Sequence, residues 1–119
     1  MKIHPYLNSN KKLAIAHRGG ISRYPENTME AFQYAIDLGY KYLETDIQVT
    51  SDNKLVIFHD DKIDRLTNIR GKLKDRSWDE IKHTKLNEKY SIPMLSELIT
   101  SWPDININIP IGQKIAFIG

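Results

Sequence analysis

The sequence predicts an α/β fold in which the functional groups gather where strands leave a sheet, and three observations carry that expectation. Leu13-Ala-Ile-Ala-His17-Arg18-Gly19-Gly20 is a short apolar run that ends on a histidine, an arginine and two glycines, the pattern of a buried strand entering a polar loop. Tyr42 to Gln48 and Leu55 to Asp60 repeat the arrangement and also end in ionisable groups, whereas Ile105 to Ile109 repeats the strand alone. Tyr40 to Val49 sets Glu44, Asp46 and Gln48 on one face and Leu43, Thr45, Ile47 and Val49 on the other, because side chains alternate along a strand. Such a strand suits a barrel, with its apolar face towards covering helices and its carboxylates inside near the open end.

The elements follow in order. Residues 1–12 are a polar lead-in, and the first strand is Leu13 to His17. In Pro25-Glu26-Asn27-Thr28-Met29-Glu30, Asn27 is placed to cap a helix and Glu30, three residues on, to return a bond to the cap. Ala31, Phe32, Ala35 and Ile36 form the apolar stripe of that helix, and Gly39 suits the left-handed position past its end. The second strand is Tyr40 to Val49, Ser51-Asp52-Asn53 is a turn, and Leu55 to His59 is the third strand. Residues 60–92 read as an excursion from the sheet, with Ser77 and Glu80 as a second capping box for a short helix through about His83. Pro93 opens a further helix with Leu95, Leu98, Ile99 and Trp102 at helical spacing, Pro103 ends it, and Ile105 to Ile109 is the fourth strand. The tail from Pro110 to Gly119 is apolar and lacks a cap or a partner.

Composition narrows the function classes. The chain has 119 residues, 40% hydrophobic and 27% charged, enough for one domain with one core. A net charge of +2 from 17 basic and 15 acidic residues spread along the chain supports neither a nucleic-acid footprint nor a polybasic membrane segment. The absence of cysteine excludes a disulfide framework and a thiolate metal site. No signal-peptide core or membrane span of roughly 18 apolar residues is visible, so the chain reads as soluble and cytoplasmic.

The chemistry rests on His17, Arg18, Glu44, Asp46 and His59. A lone histidine ending a strand is usually structural, but two at equivalent strand ends favour a functional reading. Glu44 and Asp46 either pair with a nearby lysine or arginine, the usual fate of charged strand residues, or hold a hard divalent cation through their oxygens. Arg18 with Gly19-Gly20 is suited to a phosphate group, although Gly-Gly is commonly only a turn.

Together, Ala16-His17-Arg18-Gly19-Gly20, Pro25-Glu26-Asn27-Thr28, Glu44-Thr45-Asp46-Ile47-Gln48, Phe58-His59-Asp60, Asp64-Arg65-Leu66-Thr67-Asn68 and Ile92-Pro93-Met94-Leu95 resemble the glycerophosphodiester phosphodiesterases, members of the phosphatidylinositol-phospholipase-C-like barrels. The resemblance covers Leu13 to about Ile109. It implies a partial (β/α)8 TIM barrel of about four strands, with a small insertion after the third strand that matches residues 60–92. It further implies His17 and His59 as the acid/base pair, Arg18 as a substrate-binding residue and Glu44 and Asp46 as ligands of a divalent cation, Mg²⁺ or Ca²⁺. The implied reaction is hydrolysis of a glycerophosphodiester to glycerol 3-phosphate and an alcohol, in the breakdown of phospholipid-derived metabolites.

Two departures accompany the resemblance. The family's fourth strand ends in a pattern like Asn-Ile-Glu/Asp-x-Lys, whereas Asn108-Ile109 is followed here by Pro110-Ile111-Gly112, so an acid and a lysine are missing. A complete barrel takes about 250 residues, and the expectation is therefore a truncated domain, either impaired as a diesterase or a non-catalytic remnant that binds metal or phosphate esters weakly. Its open sheet edges would invite self-association.

Overall fold

The computed structural model describes residues 15–18 and 23–110; the lead-in, Leu13, the Gly19-Gly20 turn and the tail beyond Pro110 lie outside the described residues. Strand β1 (Ile15–His17) pairs in parallel with β2 (Tyr42–Glu44), and β2 pairs in parallel on its other edge with β7 (Asn106–Asn108). Helix α1 (Met29–Asp37) connects β1 to β2, as a parallel crossover requires. Ala31, Phe32 and Ala35 are its buried stripe, and Gly39, at φ +100°, takes the left-handed position that ends it.

The helix does not begin on Asn27. Thr28 is the cap: its Oγ1 accepts the Ala31 amide at 3.1 Å, while its own hydroxyl donates to the Pro25 carbonyl at 2.8 Å. Asn27 stands one residue outside with φ +56°, a left-handed conformation that asparagine tolerates better than most residues. Its side chain is thereby turned towards β2 instead of along the helix. Glu30 is exposed on the first turn.

The second strand is also broken where a continuous one is expected. After Glu44 the chain leaves the parallel sheet, and β3 (Ile47–Val49) forms an antiparallel hairpin with β4 (Leu55–Ile57) through a turn at residues 50–54, in which Asn53 has φ +62°. The parallel sheet therefore has three strands among the described residues, β1-β2-β7. The run at Leu55 to His59 belongs to the excursion, which starts at Ile47 and not at residue 60. The cause lies at Thr45 and Asp46. The Thr45 amide donates to the Asn108 carbonyl at 3.0 Å, still bound to the sheet, but the Asp46 carbonyl accepts the Phe58 amide at 3.0 Å and so belongs to the hairpin.

The apolar run of β4 is buried on both faces, which is why it lacks alternation. Ile57 packs into the main core with Ala16, Phe32, Ala35, Leu43, Ile47, Leu95 and Leu98. Val56 and Phe58 face a second cluster of Ile63, Leu73, Ile81, Leu86 and Ile92 beneath the excursion. That excursion holds a 3₁₀ turn (Leu73–Asp75), the short helix α2 (Trp78–Ile81) and the hairpin of β5 (Lys85–Leu86) with β6 (Tyr90–Ser91). Ser77 caps α2 as expected, with Oγ accepting the Glu80 amide at 3.3 Å, but the helix stops at Ile81. Asn87 and Glu88, at φ +49° and +60°, turn the hairpin.

Helix α3 (Leu95–Ser101) starts two residues after Pro93, because Pro93 and Met94 run beside β4: the Pro93 carbonyl accepts the Ile57 amide at 2.9 Å, and Met94 bridges Val56. Leu95 and Leu98 reach the core, whereas Ile99 is 46% exposed. No described helix is long and apolar enough to cross a membrane. Phe32, fully buried, is expected to cost about 3–5 kcal/mol when changed to alanine, while Ile99→Ala costs less than about 0.5 kcal/mol. Urea unfolding midpoints measure both, and equal losses would contradict this assignment of the core.

Candidate active site

The carboxyl ends of β1 and β2 place His17 and Glu44 side by side in register, with Asn108 of β7 opposite Glu44. The His17 side chain lies outside the described residues; that of Glu44 is half-buried. Arg18 follows β1 with φ +48°, and its carbonyl accepts the Asn27 amide at 2.9 Å. The Asn27 side chain then closes the gap to the broken second strand. Its Nδ2 donates to Asp46 Oδ2 at 3.2 Å and its Oδ1 accepts the Thr45 hydroxyl at 3.2 Å, all three residues being buried.

Arg18 lies between two carboxylates. Its Nη1 donates to both oxygens of Glu26 at 3.2 Å, and its Nε is 3.7 Å from Asp46 Oδ2. Glu26 is only 8% exposed and is shared: Arg65 Nη1 and Nη2 approach Oε1 and Oε2 at 3.0 Å each. Burial raises the Glu26 pKa, but the Arg65 hydrogen bonds and the charges of Arg65 and Arg18 outweigh it, so the group ends below its ordinary value. A buried carboxylate between two guanidinium groups remains an anion at neutral pH.

His59 stands just past β4, opposite the break in the second strand, and its carbonyl accepts Gln48 Nε2 at 3.1 Å. Its Nδ1 lies 2.7 Å from Asp60 Oδ1. Arg65 Nε donates to Asp60 Oδ2 at 2.8 Å and Nη2 to Oδ1 at 3.1 Å. These Arg65 hydrogen bonds lead in pulling the Asp60 pKa from 3.8 to about 2, with the His59 bond adding to them against the cost of burial, while the paired carboxylates push Arg65 above its ordinary value. Arg65 also borders an open cleft of about 620 Å³ in the excursion, lined with Thr67, Asn68, Thr84, Lys85 and Asn87 among others.

The structure thus brings Arg18 and Asp46 together and ties His59 to them through Asp60, Arg65 and Glu26. Glu26, Asn27 and Arg65 carry no site role in the sequence reading, although each stands inside a motif quoted for the family resemblance. Their signal was the presence of charged or amide residues in short apolar-flanked strings; their pairing, 39 residues apart for Glu26 and Arg65, has no sequence periodicity. Glu44 and Asp46 suit a hard cation in donor type, as oxygens on neighbouring positions of one chain segment. Among the described residues, no group of three or more histidine, cysteine or acidic residues suited to a metal forms.

A parallel sheet packed against helices, with an arginine and a carboxylate at its carboxyl ends and a carboxylate-bound histidine joined to them from the neighbouring hairpin, is the arrangement of part of a TIM-barrel protein with its polar centre at the carboxyl face. Residues 17–117 match the model of the glycerophosphoryl diester phosphodiesterase family, and the chain belongs to that family. A glycerophosphodiester phosphodiesterase of Caldanaerobacter subterraneus is 42% identical over 114 residues, covering 88% of this chain and 47% of that protein. One from Bacillus altitudinis is 37% identical over 110 residues, covering 84% and 45%. The crystal structure of the Thermotoga maritima glycerophosphodiester phosphodiesterase superposes with a TM-score of 0.72 at 35% identity, over 82% of this chain and 42% of that one. An Oleispira antarctica phosphodiesterase, solved with the product sn-glycerol-3-phosphate, gives 0.72 at 31% identity over 80% and 42%. The chain therefore spans less than half the length of these relatives.

Asp60 gives the site a pH signature. Its carboxyl titrates lower in the folded than in the unfolded chain, so its contribution is complete above 3.8 and is lost as pH falls through about 2. Asp60→Asn is expected to lower stability at neutral pH and to have a diminishing effect as acidity increases across that interval. Urea midpoints of the two proteins should converge there, and parallel pH profiles would contradict the pairing.

Proposed function

We propose that this chain carries the acid/base and phosphate-binding half of a glycerophosphodiester phosphodiesterase, hydrolysing glycerophosphodiesters to glycerol 3-phosphate and an alcohol. The observation that carries this reading is the cluster of hydrogen bonds and ion pairs that joins Arg18, Asp46 and His59, in a chain of this family. Diester hydrolysis needs an attacking oxygen activated, a leaving alkoxide protonated and negative charge on phosphorus stabilised. Ionised Asp60 can only accept a hydrogen bond, so the His59 proton facing it sits on Nδ1 and Nε2 is left for proton exchange with substrate. His17, at the end of β1, is assigned the complementary transfer.

In the step itself a bond forms between the attacking oxygen and phosphorus, and the proton of that oxygen passes to one imidazole. The bond from phosphorus to the leaving oxygen breaks, and that oxygen takes a proton from the other imidazole. Arg18, steadied by Glu26, offers its guanidinium to a phosphate oxygen. Glu44 and Asp46 are the residues that would hold a divalent cation, Mg²⁺ or Ca²⁺, which supplies further charge stabilisation to the phosphoryl oxygens when bound.

Turnover of glycerophosphocholine, with and without a millimolar divalent cation, tests the reading. Replacement of His59 by alanine is expected to lower the rate roughly 10²- to 10⁴-fold with the amide spectrum of the fold retained. Either no turnover under both conditions or undiminished turnover in His59→Ala would overturn it.

A further inference from the structure

We propose that Arg65 is a positioning residue for His59: one edge of its guanidinium holds Asp60 against the imidazole, and the other edge is pinned on the buried Glu26. The inference rests on the reading of His59 as a proton-transfer residue, and it concerns a side chain from the excursion, outside the strand ends where the chemistry is read. Arg65 makes two forks. Nε and Nη2 grip Asp60 at 2.8 and 3.1 Å, and Nη1 and Nη2 grip Glu26 at 3.0 Å each.

The forks matter because Asp60 alone is a poor anchor. It follows His59 directly in the chain, is partly exposed, and without a second partner its carboxylate could rotate away from Nδ1 at little cost. With Oδ2 bound by Nε and Oδ1 shared between Nη2 and His59 Nδ1, both carboxylate oxygens are fixed. Arg65 is itself 47% exposed, so its own order comes from Glu26, which is 8% exposed and fixed in the segment leading into α1. The same carboxylate holds Arg18, so the group assigned to phosphate and the group assigned to proton transfer share one support. Only a planar guanidinium can make both forks; a lysine ammonium supplies the charge without them.

An ionised carboxylate fixed on Nδ1 selects one imidazole tautomer, with the proton on Nδ1 and the lone pair on Nε2. The test is nitrogen-15 NMR of the histidine rings in the whole chain at alkaline pH, where imidazoles are neutral, with His59 assigned by comparison with His59→Gln. The wild-type ring is expected in the single Nδ1–H tautomer. Arg65→Met is expected to lose that preference, and Arg65→Lys, which retains the charge and so protects the fold, is expected not to restore it. A wild-type ring protonated on Nε2 would overturn the proposal, as would a folded Arg65→Met or Arg65→Lys protein that retains the Nδ1–H tautomer in full. The readout needs no turnover, so an inactive chain with the expected tautomers counts against the diesterase reading and leaves this assignment standing.

Discussion

The structure depends on the way the second strand is broken between Glu44 and Ile47. Two residues there serve two sheets at once: Thr45 gives its amide to Asn108 of the parallel sheet, and Asp46 gives its carbonyl to Phe58 of the hairpin. The buried side chains of these two residues also need partners, and Asn27 supplies them. Its left-handed backbone directs one amide side chain at both Thr45 and Asp46, while its own N–H secures the carbonyl of Arg18. The loop after β1, the end of β2 and the start of the excursion are thereby fixed to one point, and Arg18 and Asp46 come within 3.7 Å because of it.

From that point the apolar and charged parts of the molecule support each other. The excursion has its own small core around Phe58, Ile63, Leu73 and Ile81, so it stands as a packed unit on the far face of β4. Being packed, it can present Arg65 at a defined place. Glu26 is buried at a cost that only paired cations offset, and Arg65 from the excursion and Arg18 from the β1 loop provide that pairing. The ion pairs do more than stabilise; they transmit the position of the excursion to both ends of the candidate site.

Much of this was legible in the sequence where the signal is local. The end of the Leu13 run at Ile15–His17, the first part of the Tyr42 run at Tyr42–Glu44, the Gly39 stop, the Ser77 cap and the alternation of Ile105 to Ile109 each depend on a few neighbouring residues, and each corresponds to an element or cap among the described residues. His59 and Asp46 were visible as ionisable residues at strand ends. The errors arise where tertiary partners decide. By type Asn27 is the better cap of the two, but its side chain is taken by Thr45 and Asp46, which leaves the cap to Thr28. The direction of Leu55 to His59 is invisible in an apolar run buried on both faces, since periodicity reports one face at a time. Pro93 suits a helix start by type, yet its carbonyl accepts the Ile57 amide and holds it beside β4. The pairing of Glu26 with Arg65 joins two exposed-looking residues through space alone.

The central claim is that the strand break behaves as one cooperative unit joining sheet, hairpin and β1 loop. Native-state amide exchange under mild denaturant tests it at three amides: Asn27, bound to the Arg18 carbonyl; Thr45, bound to Asn108; and Phe58, bound to Asp46. If the claim holds, the three open with a common free energy and a common denaturant dependence. If Phe58 or Asn27 opens at a free energy lower than Thr45 by about 2 kcal/mol or more, the hairpin or the loop moves independently of the sheet, and the break is not what holds the site together.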